Sequence, residues 1–167
     1  GITLMAMNKH ISLIAVVALL SGGFAFPLNA EEYPAPPDSM KELPQGEGEG
    51  WKALTLADFD FANDAEDTWT EKDGVIHCTG RPVGVNRTAK QFKNFELIVQ
   101  WRHLKHAGNS GVFAWTPPQV FEGLKPGQLP RGGIEVQMLD HGYAENWRKN
   151  HDGKDPDWFS TNGDVFA

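Results

Sequence analysis

The sequence has few cysteines and no excess of positive charge. Its only cysteine among 167 residues is Cys78, so no disulfide can form within the chain and the core must hold the fold. Lysine and arginine number 15 against 22 acidic residues, which gives a net charge of −7. A nucleic-acid partner requires a basic surface, so this balance predicts that the protein binds no nucleic acid.

The sequence also lacks a hydrophobic run long enough to cross a bilayer. The apolar run at residues 11–20 is shorter than the roughly 20 residues that a transmembrane helix needs. It follows a weakly basic start at Met7 and precedes a small residue, Ala30. This order is typical of a signal peptide cleaved after Ala30. We expect residues 1–30 to be removed and the protein to be exported to the periplasm or the exterior of a bacterial cell, without a membrane anchor.

Residues 31–50 are rich in proline, glycine and glutamate, which predicts a flexible linker. The remaining residues, 51–167, form one predicted domain. Frequent turn formers (18 glycines and 11 prolines) together with six tryptophans favour a β-sandwich over a helical bundle. The last predicted strand starts near Asp164, so we expect the sandwich to be truncated at its C-terminal end in this chain.

Apolar and polar residues alternate, as in β-strands, in three segments: residues 95–104, 110–115 and 133–139. In the third segment, Glu135 and Gln137 lie on the face opposite to the apolar residues. Arg102 lies on the polar face of the first segment. We predict that these three side chains line one polar trough, although Glu135 and Arg102 also fit a plain salt bridge between neighbouring strands.

Four motifs, in order, resemble those of the 3-keto-disaccharide hydrolase domain family. They are the hairpin Trp69-Thr70…Asp73-Gly74-Val75-Ile76, the strand Asn94-Phe95-Glu96-Leu97, the turn Asn109-Ser110-Gly111-Val112-Phe113 and the strand Gly133-Ile134-Glu135-Val136-Gln137-Met138-Leu139-Asp140. The resemblance extends from about Trp51 to the end of the chain. It implies an all-β, concanavalin A-like jelly-roll sandwich and a hydrolase or lyase that cleaves 3-keto-glycosides.

Cleavage of such a substrate requires a base, because a ketone at C3 of a hexose makes the C2 proton acidic. Its removal lets the C1 substituent leave by β-elimination, and water can then add. Glu135 is the candidate base, and Arg102 is the candidate for stabilising the oxyanion. Asp140 and His141 are further candidates for an acid, a base or metal ligands. A divalent metal cofactor is left open.

The expected partner is an oxidised carbohydrate, and four residues are candidates for holding it. Asn109 and Gln137 suit the sugar hydroxyls because amides both donate and accept hydrogen bonds. Trp147 and Trp158 lie in a polar segment and suit stacking against a sugar ring.

Two other function classes remain open on the sequence. One is a non-catalytic, lectin-like carbohydrate-binding module, for which polar and aromatic side chains suffice. The other is a glucanase-type glycoside hydrolase on the same fold. Such an enzyme needs two carboxylates, and strand alternation places Asp140 on the face opposite to Glu135.

Overall fold

The computed structural model describes residues 2–8, 16–20, 46, 48–159 and 162–167. This part of the chain is built mostly of strands with one α-helix, so the predicted all-β class is confirmed. The predicted cleavage point after Ala30 and most of the predicted linker 31–50 lie outside the described residues. Within those residues, no helix has the length and apolar character needed to cross a bilayer.

The strands are β1 (Ile2–Asn8), β2 (Val16–Leu20), β3 (Trp51–Leu54), β4 (Phe59–Phe61), β5 (Trp69–Lys72), β6 (Val75–Cys78), β7 (Val85–Thr88), β8 (Phe95–Trp101), β9 (Asn109–Ala114), β10 (Ile134–Leu139) and β11 (Val165–Phe166). The helix is α1 (Tyr143–Asn150), and short 3₁₀ turns span Leu56–Asp58 and Pro118–Phe121. Neither β7 nor α1 is predicted by the sequence. The strand β7 has the sequence Val-Asn-Arg-Thr, which is too short and too polar to show an alternating pattern.

The strands form two antiparallel sheets. Sheet I has the order β3-β1-β6-β5, with β8 on the free side of β1, and sheet II has the order β11-β10-β9-β2-β7-β4. The strands β1 and β2 come from residues 1–30, which the sequence analysis assigns to a signal peptide. That assignment concerns processing of the chain and stays a prediction.

The hairpin β5–β6 forms at the predicted turn. Trp69 is paired with Cys78 and Lys72 with Val75, so Asp73 and Gly74 are the two connecting residues. Both have positive φ angles, 52° and 72°. A two-residue hairpin turn of this kind needs positive φ at both positions, and Asp-Gly is a favoured sequence for it.

The core lies between the two sheets. Val112, Ala114 and Met138 of sheet II pack with Leu54, Trp69 and Ile76 of sheet I in a single cluster. Met138 is 2% exposed, as the alternation in β10 predicts for a residue facing the core, whereas Val136, predicted to be in the core with it, is 39% exposed. Because side chains alternate along a strand, Glu135 and Gln137 point to the other face of sheet II, away from sheet I. We call this the outer face.

The loop between β9 and β10 packs on the outer face. Phe121, in its 3₁₀ turn, contacts Val85 and Phe113 in a second apolar cluster. Asn63 fixes the loop, because its Nδ2 donates to the carbonyl oxygens of Lys125 at 2.7 Å and Gln128 at 2.8 Å. Its Oδ1 accepts from the backbone N–H of Val85 at 2.9 Å. The loop is therefore held at a defined position above β7 and β9.

The inward face of β10 gives a test of the strand alternation. We expect Met138→Ala to lower the free energy of unfolding by about 2–5 kcal/mol, because it removes a fully buried side chain and leaves a cavity. Val136→Ala is the matched control on the same face, where Val136 is 39% exposed, and its cost should be much smaller. Denaturant unfolding measures both, and equal costs would contradict the burial of Met138 between the two sheets.

Candidate active site

The centre of the site is Glu135, on the outer face of sheet II. In the register of the sheet it lies opposite Phe113 of β9 on one side and Phe166 of β11 on the other. Residues directly opposite in antiparallel strands point to the same face, so the side chains of Phe113 and Phe166 share the outer face with Glu135. Glu135 is partly buried there, and this desolvation raises the pKa of its carboxyl group.

The carboxylate of Glu135 lies directly over the backbone of Gly111 in β9. A Cβ atom at position 111 would come within 2.9 Å of Cγ and 3.0 Å of Cδ of Glu135 and would collide with Oε1. The side chain therefore extends along the outer face across β9, away from β11. The sequence analysis reads Asn109-Ser110-Gly111 as a turn, but these residues begin strand β9. The close approach of Glu135 is what requires a residue without a side chain at position 111.

Two buried amides stand beside this carboxylate. Gln137 pairs with Gly111 across the β9–β10 ladder, and Asn109 precedes Gly111 by two residues on the same face. Gln137 is 4% exposed and Asn109 is 2% exposed. Among the residues that the structure describes, Gln137 Oε1 and Asn109 Nδ2 have no hydrogen-bond partner. Burying an acceptor or a donor without a partner lowers the stability of the fold. A hydroxyl group can donate to the Gln137 oxygen or accept from the Asn109 nitrogen.

Arg87 of β7 also points to the outer face, and sequence reasoning missed it. The register connects Arg87 to Phe113 through Val16 of β2, so Arg87 lies in the same row as Glu135. Its guanidinium carbon is 5.7 Å from the centre of the Phe121 ring. Among the described strands of sheet II, it is the only lysine or arginine.

The expectation that Arg102 shares a face with Glu135 is wrong. Arg102 directly follows β8, which belongs to sheet I, whereas Glu135 lies on the face of sheet II that is turned away from sheet I. Alternation within each segment was read correctly, but it does not show which sheet a strand joins.

Asp140 holds a turn at the end of β10. Its Oδ1 accepts hydrogen bonds from the backbone N–H groups of Ala107 and Gly142, each at 2.9 Å. His106 Nδ1 is 3.9 Å from the same oxygen, and His141 is exposed in this turn. In the described part of the chain, no group of three or more His, Cys, Asp or Glu residues is placed to hold a metal ion.

Trp147 and Trp158 belong to an aromatic cluster that packs α1 against the C-terminal segment. Trp147 stacks on His151 with the ring centres 3.8 Å apart, and its ring centre is 5.9 Å from that of Trp158. Trp158 lies 6.1 Å from Phe166, which is paired with Glu135. Trp158 therefore lies at the β11 edge of the site, where 39% of it is exposed, whereas Trp147 is engaged within the cluster.

The model of one protein family matches this chain. It describes the 3-keto-alpha-glucoside-1,2-lyase-like domain and matches residues 46–166, which include every strand from β3 to β11 and all the side chains described above. The fold of this family is concanavalin A-like, as the sequence motifs implied. Comparisons with the curated proteins and with the solved structures give no match.

The desolvation of Glu135 predicts a pH-dependent stability. Because its folded-state pKa is raised, the folded protein holds the proton more tightly, and stability falls as pH rises from the ordinary pKa of glutamate to the raised value. Glu135→Gln removes the cost of burying an ionised carboxylate. We therefore expect a higher melting temperature than in wild type at pH 7 and no such gain near pH 3.

Thermal unfolding at the two pH values measures the difference. Glu96→Gln, at an exposed position of β8, is the control for a general loss of negative charge. A gain in Glu135→Gln that is equal at both pH values, or equal to that of Glu96→Gln, would contradict the desolvation of Glu135.

Proposed function

The chain belongs to the 3-keto-alpha-glucoside-1,2-lyase-like family, and we propose that it cleaves 3-keto-glycosides with Glu135 as the general base. The observation that carries this proposal is the position of the Glu135 carboxylate. It lies over Gly111 and beside two buried amides whose polar atoms have no partner among the described residues. A base next to groups that bind hydroxyls is the arrangement that removal of a proton from a sugar requires.

The reaction begins at C2 of the oxidised sugar. The carboxylate of Glu135 takes the C2 proton, and the electron pair of the C–H bond is delocalised onto the C3 carbonyl oxygen as an enolate. Collapse of the enolate forms the C1–C2 double bond and expels the C1 oxygen, which takes up a proton. Addition of water across this double bond completes a net hydrolysis. The raised pKa of Glu135 favours this role, because a stronger base takes the carbon-bound proton more readily.

The buried amides orient the sugar. Asn109 Nδ2 donates to one hydroxyl oxygen, and Gln137 Oε1 accepts from a hydroxyl proton. Each contact satisfies a polar atom that has no partner in the described part of the chain. Trp158 at the β11 edge provides an aromatic surface beside Glu135 for a second sugar or an aglycone. Binding would thus hold C2 near the carboxylate.

A glucanase-type mechanism fits these positions poorly. It needs two carboxyl groups about 5–9.5 Å apart. Asp60 of β4 shares the outer face with Glu135 but lies four strand spacings away, about 19 Å between Cα atoms. Asp140 is committed to the turn at the end of β10.

We also propose that the protein works outside the cytoplasm. The support for this comes from the sequence, in which a weakly basic start, a short apolar run and a small residue at position 30 follow in the order of a signal peptide.

Two substitutions test Glu135 as the base. Glu135→Gln in the full-length protein keeps the shape of the side chain but cannot accept the proton, so kcat on a 3-keto-glucoside should fall by about 10²–10⁴-fold with KM nearly unchanged. Gly111→Ala keeps Glu135 itself unchanged but displaces its carboxylate, because the new Cβ collides with Oε1. We expect kcat to fall there as well.

Release of the aglycone, followed over time, measures both variants, with Glu96→Gln as the matched control. Circular dichroism confirms that each variant is folded. A folded Glu135→Gln variant that turns over as fast as wild type would remove Glu135 from the mechanism. Turnover of an unoxidised glucoside at the same rate as the 3-keto form would favour the hydrolase alternative.

A further inference from the structure

Asp140 joins two segments that flank the candidate active site. One of its carboxylate oxygens, Oδ1, accepts from the backbone N–H of Ala107 and from that of Gly142, each at 2.9 Å. Ala107 belongs to the loop between β8 and β9, and Gly142 is the N-cap residue of α1. A single side chain therefore connects the segment that leads into β9 with the start of the helix.

We propose that Asp140 is a positioning residue for the substrate, because it fixes Asn109 on one side of the site and the helix that supports Trp158 on the other. This inference rests on the proposed function, in which Asn109 and Trp158 contact the sugar or its aglycone. It differs from the acid, base or metal role for which the sequence made Asp140 a candidate.

Asn109 stands at the end of the β9–β10 ladder, and the ends of paired strands fray unless they are tied down. The last pair of the register is Asn109 with Leu139. Beyond it, the backbone N–H of Asp140 donates to the carbonyl oxygen of Gly108 at 2.9 Å, and Oδ1 holds Ala107, one residue further along. Asp140 thus extends the pairing past Asn109, so the backbone that leads into this buried amide is held against β10.

Two histidines of the β8–β9 loop add contacts on both sides of Asp140. His103 Nε2 lies 2.8 Å from the carbonyl oxygen of Met138, which can only accept, so His103 donates. The ring of His106 packs on Gly142, where a Cβ atom would collide with it. The loop therefore meets both the end of β10 and the start of α1, and these contacts define the place at which the carboxylate receives its two N–H groups.

The helix side of the turn leads to the aromatic edge of the site. The carbonyl oxygen of Asp140 accepts from the backbone N–H of Tyr143, the first residue of α1, at 2.9 Å. The ring centre of Tyr143 is 6.4 Å from that of Trp158. Trp158 lies 6.1 Å from Phe166, the residue opposite Glu135. A shift of the turn would therefore move the support of Trp158 as well as the backbone before β9.

Two substitutions separate positioning from chemistry at Asp140. Asp140→Asn keeps an oxygen that can accept from both N–H groups, but it can neither transfer a proton nor offer a negative charge to a metal ion. Asp140→Ala removes the acceptor, so the N–H groups of Ala107 and Gly142 lose their partner. A positioning role predicts that asparagine replaces the aspartate and alanine does not. An acid, base or metal role predicts that both variants are impaired.

The experiment measures kcat and KM of these variants in the full-length protein, with a 3-keto-α-glucoside as substrate. We expect Asp140→Ala to raise KM by about tenfold, the contribution of one hydrogen bond to the sugar, with kcat reduced much less because Glu135 is unchanged. Asp140→Asn should remain close to wild type. Asp155→Ala, which removes the exposed partner of Arg148 in α1, is the matched control and should change neither constant.

A double-mutant cycle shows whether Asp140 acts through Asn109. Asn109→Ala should raise KM in the wild-type background, and it should raise KM much less when Asp140→Ala is already present. A general loss of stability would not produce this coupling. Independent effects, which multiply in the double variant, would overturn the proposal.

The outcomes also distinguish this inference from the function on which it rests. If wild type does not turn over the 3-keto substrate, the proposed function fails and this role falls with it. If wild type is active and Asp140→Ala has an unchanged KM, or Asp140→Asn is as impaired as Asp140→Ala, only the role of Asp140 is overturned. Should Asp140→Ala fail to fold, Asp140→Glu decides, because its carboxylate is displaced by one methylene group. A raised KM with kcat retained then supports the role, and an unchanged KM counts against it.

Discussion

The register between β9 and β10 is the constraint on which the site depends. It places Gly111 opposite Gln137, so the carboxylate of Glu135 can fold down over a backbone with no side chain. A shift by one residue would turn Glu135 into the core and Met138 to the outer face. The same pairing therefore sets both the apolar interior and the polar surface. The packing of Met138 against sheet I resists such a shift.

Burial gives the site its chemistry at a cost in stability. Burial raises the pKa of the Glu135 carboxyl group, and Asn109 and Gln137 each bury a polar atom that has no partner among the described residues. Each of these features disfavours the folded state. A ring-shaped ligand rich in hydroxyls would satisfy the amides, and a proton taken from carbon would neutralise the carboxylate. The features that cost stability are thus those that a sugar substrate would relieve.

The sequence predicted the parts of the site that depend on alternation within one strand. Glu135 and Gln137 share a face as expected, because the pattern of β10 is long and regular enough to read. Arg102 was misplaced because pairing between distant strands is set by the tertiary fold, which periodicity within a segment does not contain. Arg87 was missed since β7 shows no periodic signal. The turn-holding role of Asp140 depends on Ala107, 33 residues away, which no local pattern indicates.

The central claim is that Glu135 removes the proton from C2, and hydrogen exchange at that carbon tests it most directly. The full-length protein is incubated with a 3-keto-α-glucoside in deuterated water, and the recovered substrate and the product are analysed by NMR. Proton abstraction followed by return of a solvent proton predicts deuterium at C2 in the hydrated product, and none in a Glu135→Gln sample. Product formed by wild type with its original hydrogen at C2 would contradict the elimination and with it the role of Glu135.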